Sequence, residues 1–307
     1  MVSEHIKTKI KGICGKHGGN VLFDHSLLKY STIGIGGRAD VLYFPFSPEE
    51  LRETMSYLRE QNVSTTVMGR GSNMLIPDSG LRGVVVNFNV PFFRKISIEG
   101  TNVTAGAGVF LGKLIAECFG YGLAGIEGLI GIPGTVGGAL KINASYQTAV
   151  SDRLLRLMII NGDNEIQWLE KKDIEFGYRY SSLEENDIIL QAVFFLDKDA
   201  PDRIRKKMKS FLTEKLNKQP MDKRTLGCIF KNPVDSNYTS AQMLDKCGLK
   251  GFEIGGARIS RKHANFIINT GKAGSGDVVD LMEKMRQQVF EKFSVELEPE
   301  IQILDSE

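Results

Sequence analysis

The segment from Gly122 to Leu140, GLAGIEGLIGIPGTVGGAL, constrains the fold more than any other part of this chain. Glycine occupies every third position from Gly122 to Gly137, and the residues between are mostly apolar. A collagen triple helix is excluded because it needs a long proline-rich array, whereas this segment contains only Pro133. A membrane span is excluded because Glu127, Pro133 and the glycines interrupt it. The remaining interpretation is a backbone that a strand or a bound ligand approaches closely.

Composition limits the class of protein and its partners. The chain has 307 residues, 42% hydrophobic and 25% charged, which predicts two or three globular domains. Its net charge of +2 gives no general electrostatic reason to expect nucleic acid or an anionic membrane as a partner. We therefore expect no nucleic acid and no membrane among its partners, and a monomer is the default expectation.

The number and spacing of the cysteines indicate the redox state of the compartment. Cys14, Cys118, Cys228 and Cys247 show no C-x-x-C spacing, and with only four histidines the chain has no zinc-site pattern. A reducing compartment is the simplest interpretation. The first residues, MVSEHIKTKI, lack the apolar core of a signal peptide, and no segment is typical of a membrane span. These features predict a cytoplasmic protein without a metal site.

Hydrophobic periodicity predicts alternating strands and helices after an irregular first forty residues. A helix over 47–62 is predicted from its start, where Ser47 can cap, Pro48 suits the first turn and Glu50 completes a capping box. The basic residues of a helix over 201–220 indicate a solvated face that bridges into a C-terminal α/β domain. Strands are predicted at 41–46, 63–69, 83–88, 102–108, 187–196, 263–270 and 295–304, a hairpin at 154–169, and further helices at 110–120, 239–248 and 275–294.

Two glycine-rich loops next to strands are candidates for binding a diphosphate. GRGSNML (69–75) could turn backbone N–H groups toward an anion, but it is neither a Walker loop nor a Rossmann fingerprint. GIPGTVGGALKINAS (131–145) could bring its backbone against a pyrophosphate, with Asn143 as a polar group at its end. Together they indicate a dinucleotide held between two small domains, although close strand-to-helix packing would also require these glycines.

Three motifs contain reactive side chains. FGYRYSSL (176–183) contains Arg179, which could stack on the surface or stabilise a developing oxyanion. GCIFKNP (227–233) contains Cys228, a small buried group or a reactive thiol. In LEPEI (297–301), the two-residue period of a strand places Glu298 and Glu300 on one face.

In this order the motifs resemble the UDP-N-acetylenolpyruvoylglucosamine reductase (MurB) family of flavoenzymes of peptidoglycan synthesis, in its short type. Any one motif could arise by chance, whereas the ordered set is specific. The matching stretches are TIGIGGRAD (32–40), GRGSNML (69–75), GIPGTVGGA (131–139), FGYRYS (176–181), GCIFKNP (227–233), GGARISRKHANFIIN (255–269) and LEPEI (297–301).

The resemblance implies an α+β fold. A two-lobed FAD-binding domain of the vanillyl-alcohol-oxidase/PCMH type, with lobes at 1–90 and 91–200, precedes a smaller α/β substrate-binding domain at 201–307. It also implies non-covalent FAD, since GRGSNML contains neither histidine nor cysteine. The implied cofactor-binding residues are Gly69, Arg70, Gly71, Ser72, Asn73, Met74, Gly134, Thr135, Gly137, Gly138, Asn143 and Ala144.

The implied activity is that of an NADP-dependent UDP-N-acetylmuramate dehydrogenase, an oxidoreductase acting on CH-OH groups. NADPH reduces FAD, a hydride passes from FAD to the enolpyruvyl carbon of the UDP-sugar substrate, and Arg179 and Glu300 stabilise the enolate. Cys228 then donates a proton, at a position where many members have serine, provided that Lys231 does not draw it to the thiolate. The implied substrate-binding residues are Tyr178, Lys231 and Asn232, and further candidates for the diphosphate are Lys218, Arg224, Lys262 and His263.

A second departure from the family pattern is NASY (143–146), where NAGA is commoner, and it affects the local FAD contacts. Two other functions remain open from the residues alone. A related flavin oxidase would keep the same loops but would leave Arg179, Cys228 and Glu300 without a joint role. A non-catalytic nucleotide-binding protein would keep the loops without redox chemistry, and it would lack flavin colour.

Overall fold

The structure is a computed structural model that describes residues 1–305, and it divides the chain into two compact units. Both units contain helices and strands, so the predicted α+β class is confirmed. The predicted domain boundaries at residues 90 and 200 stay predictions. The first unit comprises Met1–Asp24, Asp40–Gly69 and Arg82–Thr213, and the second comprises His25–Ala39, Arg70–Leu81 and the chain from Glu214 onward.

The α-helices include the predicted ones and two that the pattern does not predict, α1 and α4. Among the helices of residues 1–305, none combines the length and apolar character that crossing a bilayer requires. In chain order they are α1 Glu4–His17, α2 Pro48–Glu60, α3 Leu111–Gly120, α4 Val136–Lys141, α5 Pro201–Lys218, α6 Ser240–Lys246 and α7 Ser275–Phe293.

Helix α1 shows that the expected irregular start is wrong. Ser3 caps the helix by accepting a hydrogen bond from Ile6 N, and Gly18 ends it with φ +101°. Its buried stripe consists of Ile10, Ile13 and Cys14. This narrow stripe among lysines is a weak periodic signal, so packing rather than pattern identifies the helix.

The strands are short, and most lie in antiparallel pairs. The predicted hairpin over 154–169 is confirmed as β9 and β10. In chain order the strands are β1 Asn20–Ser26, β2 Arg38–Phe44, β3 Thr65–Met68, β4 Met74–Leu75, β5 Leu81–Asn87, β6 Ile96–Glu99, β7 Asn102–Gly106, β8 Leu123–Ala124, β9 Leu154–Ile160, β10 Ile166–Glu170, β11 Phe176–Gly177, β12 Tyr180–Ser181, β13 Ile188–Phe195, β14 Asp197–Lys198, β15 Thr225–Cys228, β16 Glu253–Ile254, β17 Ala257–Ile259, β18 Phe266–Asn269 and β19 Gln302–Ile303.

The first unit is built on two sheets. One has the order β1-β2-β5-β3, with β3 parallel to β5, and the other is the antiparallel sheet β10-β9-β13-β7-β6. Helix α4 packs against β7 and β13, which brings the glycine-rich segment onto the second sheet. The apolar faces of both sheets and of α1–α4 form one core, which includes Val86, Leu114, Leu140 and Leu190.

The second unit has its own core around the antiparallel sheet β15-β18-β17-β16 and helices α6 and α7. Ile33, Ile35 and Leu75 join this core from the segments that the chain contributes before residue 82. The short parallel pair of β4 and β19 aligns Met74 with Gln302. The second unit is therefore assembled from three separate segments of the sequence.

The predicted strand over VELEPEIQIL is wrong except at β19. Pro299 has no N–H to donate to a ladder, and it makes only an isolated bridge with Phe230. Its neighbours bond instead to the segment that follows β15. Because no continuous strand forms, Glu298 is exposed whereas Glu300 is half-buried.

Candidate active site

In the first unit, the start of α4 is closely packed against protein. Val136 N donates to Val109 O at 2.9 Å, and Gly137 N donates to Ala107 O at 2.9 Å. A Cβ built on Gly137 would lie 2.9 Å from Ala107 Cβ, closer than carbon atoms approach each other without displacement. Close packing therefore accounts for glycine at position 137, and its predicted cofactor contact stays a prediction.

Gly69 and Thr135, both predicted to bind the cofactor, lie together. A Cβ on Gly69 would lie 2.5 Å from Thr135 Oγ1, so only glycine fits there without displacing Thr135. The Asn87 side chain donates to Met68 O and Gly69 O at 2.9 and 3.0 Å and fixes the end of β3. Within this unit, the first glycine of one predicted loop therefore meets the threonine of the other.

Two features fit a bound nucleotide cofactor. A Cβ on Gly138 would meet only Thr135 Oγ1, at 3.6 Å, so the backbone there is open to a close approach. Asn143 Oδ1 is buried and has no hydrogen-bond partner within residues 1–305. A cofactor hydroxyl or N–H group would satisfy this acceptor, since buried polar atoms are almost always paired.

The other predicted cofactor residues of this segment have backbone groups in use. Gly134 O accepts from Leu111 N at 3.1 Å. Ala144 is buried, and its N–H donates to Ala139 O at 2.7 Å while its carbonyl accepts from Val150 N at 3.0 Å. These bonds fix the path of the segment, and a cofactor role for either residue stays a prediction.

Arg179 lies in a tight hairpin between β11 and β12. Gly177 pairs with Tyr180, which leaves Tyr178 and Arg179 in the turn, and Arg179 has φ +55°. Positive φ is uncommon for a residue with a Cβ, so the hairpin fixes where this side chain starts. The guanidinium carbon lies 5.2 Å from the centroid of the Tyr178 ring, in a cation–π contact.

The segment after α4 holds this hairpin at two points. Asn143 Nδ2 donates to Gly177 O at 2.9 Å, and Arg179 Nη1 donates to Ser145 Oγ at 2.9 Å. Ser181 Oγ adds a third bond, to Lys141 O, at 2.7 Å. The predicted cofactor residue Asn143 and the predicted catalytic residue Arg179 are thus brought together, and Ser145 is a contact that the sequence pattern does not predict.

In the second unit, the residues of GRGSNML from Arg70 onward contact the C-terminal segment. Asn73 Nδ2 donates to Glu300 O at 3.0 Å, and Gln302 N donates to Asn73 O at 2.8 Å. Gly71 has φ +55°, and a Cβ there would lie 2.3 Å from Tyr30 O, so glycine is required. These bonds give the glycine-rich loop a structural role, and the predicted cofactor contacts of Arg70, Gly71, Ser72, Asn73 and Met74 stay predictions.

The two motifs that contain Cys228 and Glu300 lie side by side. Glu300 N donates to Ile229 O at 2.7 Å, and Lys231 N donates to Glu298 O at 2.9 Å. Cys228, at the end of β15, therefore lies next to the residue whose carbonyl receives the Glu300 N–H. The thiol of Cys228 is half-buried.

The predicted substrate-binding residues of this unit also have protein partners. Lys231 Nζ lies 2.5 Å from Glu298 Oε1, in an ion pair whose carboxylate side chain is 69% exposed. Asn232 Oδ1 accepts a hydrogen bond from Ser240 N at 3.1 Å, at the start of α6. Their predicted contacts with substrate stay predictions.

The further basic candidates for a diphosphate differ in character. Lys218 pairs with Glu214 at 2.7 Å, and Lys262 Nζ donates to Leu216 O. Arg224 packs against Gly34, where a Cβ would lie 3.4 Å from its Cδ atom. Burial, aided by the charge of Lys250, lowers the pKa of His263 from 6.5 to about 4, so this ring is neutral at pH 7. An uncharged imidazole adds no positive charge for a diphosphate.

Arg179 belongs to the first unit, and Cys228 and Glu300 belong to the second. The structure therefore brings together Asn143 with Arg179, and Cys228 with Glu300. That all three reactive side chains gather at one substrate stays a prediction.

Comparisons with known proteins cover nearly the whole chain. Residues 219–304 match the family model for the C-terminal domain of UDP-N-acetylenolpyruvoylglucosamine reductase, and residues 39–170 match that of an FAD binding domain. The UDP-N-acetylenolpyruvoylglucosamine reductase of Caldanaerobacter subterraneus subsp. tengcongensis is 37% identical over 305 residues, which covers 99% of each chain. That of Bacillus subtilis is 36% identical over 289 residues, covering 93% of this chain and 94% of the relative.

A solved structure of a protein of the same name also matches this chain. The crystal structure of UDP-N-acetylenolpyruvylglucosamine reductase from Thermus caldophilus matches with a TM-score of 0.80 and 31% identity. The match covers 94% of this chain and 99% of that one. Together with the FAD-binding model, this match confirms the predicted fold and the predicted resemblance.

Proposed function

Because this chain belongs to the UDP-N-acetylenolpyruvoylglucosamine reductase family, we propose that it uses NADPH to reduce UDP-N-acetylglucosamine enolpyruvate to UDP-N-acetylmuramate. Its cofactor is FAD, which when bound carries two electrons from NADPH to the enolpyruvyl double bond. The product is a precursor of peptidoglycan. The observation that carries the proposal is the pairing of the Cys228 and Glu300 segments through the Glu300 N–H and Ile229 O, at 2.7 Å.

The residues of the first unit bind the cofactor and stabilise negative charge on the substrate. Gly138 offers an open backbone, and Asn143 offers a buried acceptor without a partner within residues 1–305. Arg179 stabilises the negative charge that develops on the substrate carboxylate as the double bond is reduced. A preorganised donor of this kind is worth about 3–4 kcal/mol in other enzymes.

The residues of the second unit complete the addition of hydrogen. The Cys228 thiol gives its proton to the substrate α-carbon, becomes a thiolate and regains a proton from water. A thiol is a much stronger acid than a serine hydroxyl, so it is the better proton donor for this step. The ion pair of Lys231 with Glu298 offsets the positive charge that would favour the thiolate. Glu300, in its protonated form, stabilises the enolate by donating a hydrogen bond to it.

The decisive experiment measures the flavin absorption spectrum, the oxidation of NADPH and the activity of one variant, Arg179→Ala. We expect purified protein to show a flavin spectrum that denaturation releases. It should consume NADPH beyond the one equivalent that reduces the flavin only when the enolpyruvyl sugar nucleotide is added. The product should be the substrate plus two hydrogens, identified by mass spectrometry. Arg179→Ala should lower kcat by about 10²–10³-fold. A colourless protein that FAD does not reconstitute, or NADPH oxidation that oxygen alone supports, would contradict the proposal.

A further inference from the structure

Ser145 is the side chain to which the guanidinium of Arg179 donates. Arg179 Nη1 lies 2.9 Å from Ser145 Oγ, and the bond is partly buried. Ser145 stands in NASY (143–146), two residues after Asn143, in the segment that follows α4. The bond therefore joins this segment to the side chain that the proposed reaction requires.

The backbone around Ser145 is held on several sides. Ser145 and Ala149 form an antiparallel bridge, and Tyr146 N donates to Thr148 O at 3.2 Å. Two residues earlier, Asn143 bonds to the same hairpin through Gly177 O. The Ser145 hydroxyl is thus carried by a short side chain on a held backbone, whereas the arginine side chain is long and carries large rotamer entropy.

The chemistry of this partner suits an arginine that must act on an anion. A carboxylate in the place of Ser145 would fix Arg179 equally well, but it would neutralise the charge that the reaction uses. A hydroxyl acceptor has no charge with which to neutralise the guanidinium, and it accepts from a single donor, Nη1. The bond therefore orients Arg179 without weakening it electrostatically.

We propose that Ser145 is a positioning residue, which holds the guanidinium of Arg179 in the orientation that stabilises the anionic form of the substrate. This role rests on the proposed function of Arg179. It predicts that Ser145 matters in the half-reaction that reduces the enolpyruvyl group. The half-reaction in which NADPH reduces the flavin does not need Arg179 in this role.

Stopped-flow measurements on the flavin-loaded enzyme separate the two half-reactions. Ser145→Ala should bind FAD normally and be reduced by NADPH at the wild-type rate, but its reoxidation by the enolpyruvyl sugar nucleotide should slow by roughly tenfold, as expected for a lost hydrogen bond to a charged group. Ser145→Thr keeps the hydroxyl and should recover most of that rate. The matched control is Ser182→Ala, whose exposed hydroxyl accepts from Glu175 N at 2.9 Å and should leave both rates unchanged.

A double-mutant cycle with Arg179→Ala tests whether Ser145 acts through Arg179. Adding Ser145→Ala to Arg179→Ala should cause no further loss in the second half-reaction. If Arg179→Ala slows this half-reaction while Ser145→Ala does not, or if the two effects multiply, Ser145 does not position Arg179. If Arg179→Ala itself leaves the half-reaction unchanged, the assignment of Arg179 in the proposed function is wrong instead.

Discussion

If Cys228 is the proton donor, as proposed, its substitution should separate proton transfer from electron transfer. Without the thiol, Cys228→Ala should keep the rate of flavin reduction by NADPH within about twofold of wild type, while reoxidation by the enolpyruvyl sugar nucleotide falls by about 10²–10⁴-fold, the usual contribution of a general acid. Cys228→Ser keeps an exchangeable proton at the same place and should retain substantial activity. Stopped-flow absorbance of the flavin measures both rates.

The matched control for Cys228 is the other half-buried cysteine of the same unit. Cys247 donates its S–H to Gln288 O at 3.4 Å, and burial raises its pKa. Cys247→Ala should therefore leave both half-reactions unchanged. Equal losses in the two half-reactions of Cys228→Ala would show that Cys228 is not the proton donor.

At the residue scale, the sequence predicts which residue types carry the chemistry but not which of them touch. Lys231 and Glu298 are 67 positions apart, and their ion pair depends on a backbone pairing without a periodic signal. The sequence predicts a cofactor contact for Asn73, which stays a prediction, but it does not predict that the Asn73 amide donates to Glu300 O. The role of Ser145 toward Arg179 depends on a positive φ in a turn, which the sequence YRYS alone does not predict.

At the scale of elements, helix α4 contains two adjacent glycines with different requirements. In Gly137→Ala, overpacking against Ala107 should lower the free energy of unfolding of the apoprotein by about 1–3 kcal/mol. The better helix propensity of alanine should offset about 1 kcal/mol of this loss. Adding Ala107→Gly should restore much of the loss. Gly138→Ala has space for its methyl group, so it should not destabilise the apoprotein but should weaken FAD binding. Urea unfolding and FAD titration measure the two effects.

These outcomes also separate the two explanations of the glycine-rich segment. If Gly138→Ala binds FAD as tightly as wild type, the open backbone at this position is not a cofactor contact. If Gly137→Ala is as stable as wild type, the close approach to Ala107 is relieved without cost. The sequence could not make this distinction, because neighbouring glycines in one motif look alike until their surroundings are known.

A start signal predicts a helix only when a clear apolar period follows it, as in α2 but not in α1, which Ser3 also caps. Helix α2 begins as predicted, with Glu50 N donating to Ser47 Oγ at 3.2 Å. The second half of the expected capping box is displaced, since the Glu50 carboxylate accepts from Phe46 N and from the Tyr43 hydroxyl, both at 3.0 Å. The partners of the Glu50 carboxylate therefore follow from its buried position in the fold and not from its spacing from Ser47.

At the scale of the whole molecule, the pattern predicts mixed α and β structure but not a unit built from distant segments. Ile33, Ile35 and Leu75 look like ordinary core residues of the N-terminal part, yet they pack with the C-terminal core. Hydrophobic periodicity reports that a residue is buried and not which core it joins. The ordered motifs of the family therefore identified the fold more reliably than any single stretch could.

The stability of the molecule below pH 7 should depend on His263. Its pKa is lowered from 6.5 to about 4 because the ring is buried and Lys250 is nearby. Between pH 6.5 and pH 4 the unfolded chain binds a proton at His263 that the folded chain does not bind. The stabilising contribution of the neutral His263 ring is therefore complete above pH 6.5 and is lost as the pH falls toward 4. Between pH 7 and pH 5 the loss is about 2 kcal/mol. The carboxyl groups with lowered pKa values add their losses at lower pH, as the pH falls through the ordinary pKa of each, 4.5 for Glu53 and 3.8 for Asp277.

His263→Phe tests this dependence, because it keeps a ring against Phe266, whose centroid lies 4.7 Å away, and removes the titrating group. The substitution breaks no bond at Nδ1, which has no hydrogen-bond partner within the described chain. Urea unfolding at pH 7 and pH 5 measures the loss in the free energy of unfolding between the two pH values. Wild type should show the full loss, and so should the control His5→Gln, because the native His5 ring is exposed. His263→Phe should show little of it. An equal loss in all three proteins would mean that His263 is protonated in the folded state near its ordinary pKa. The acid sensitivity would then have to arise from other groups.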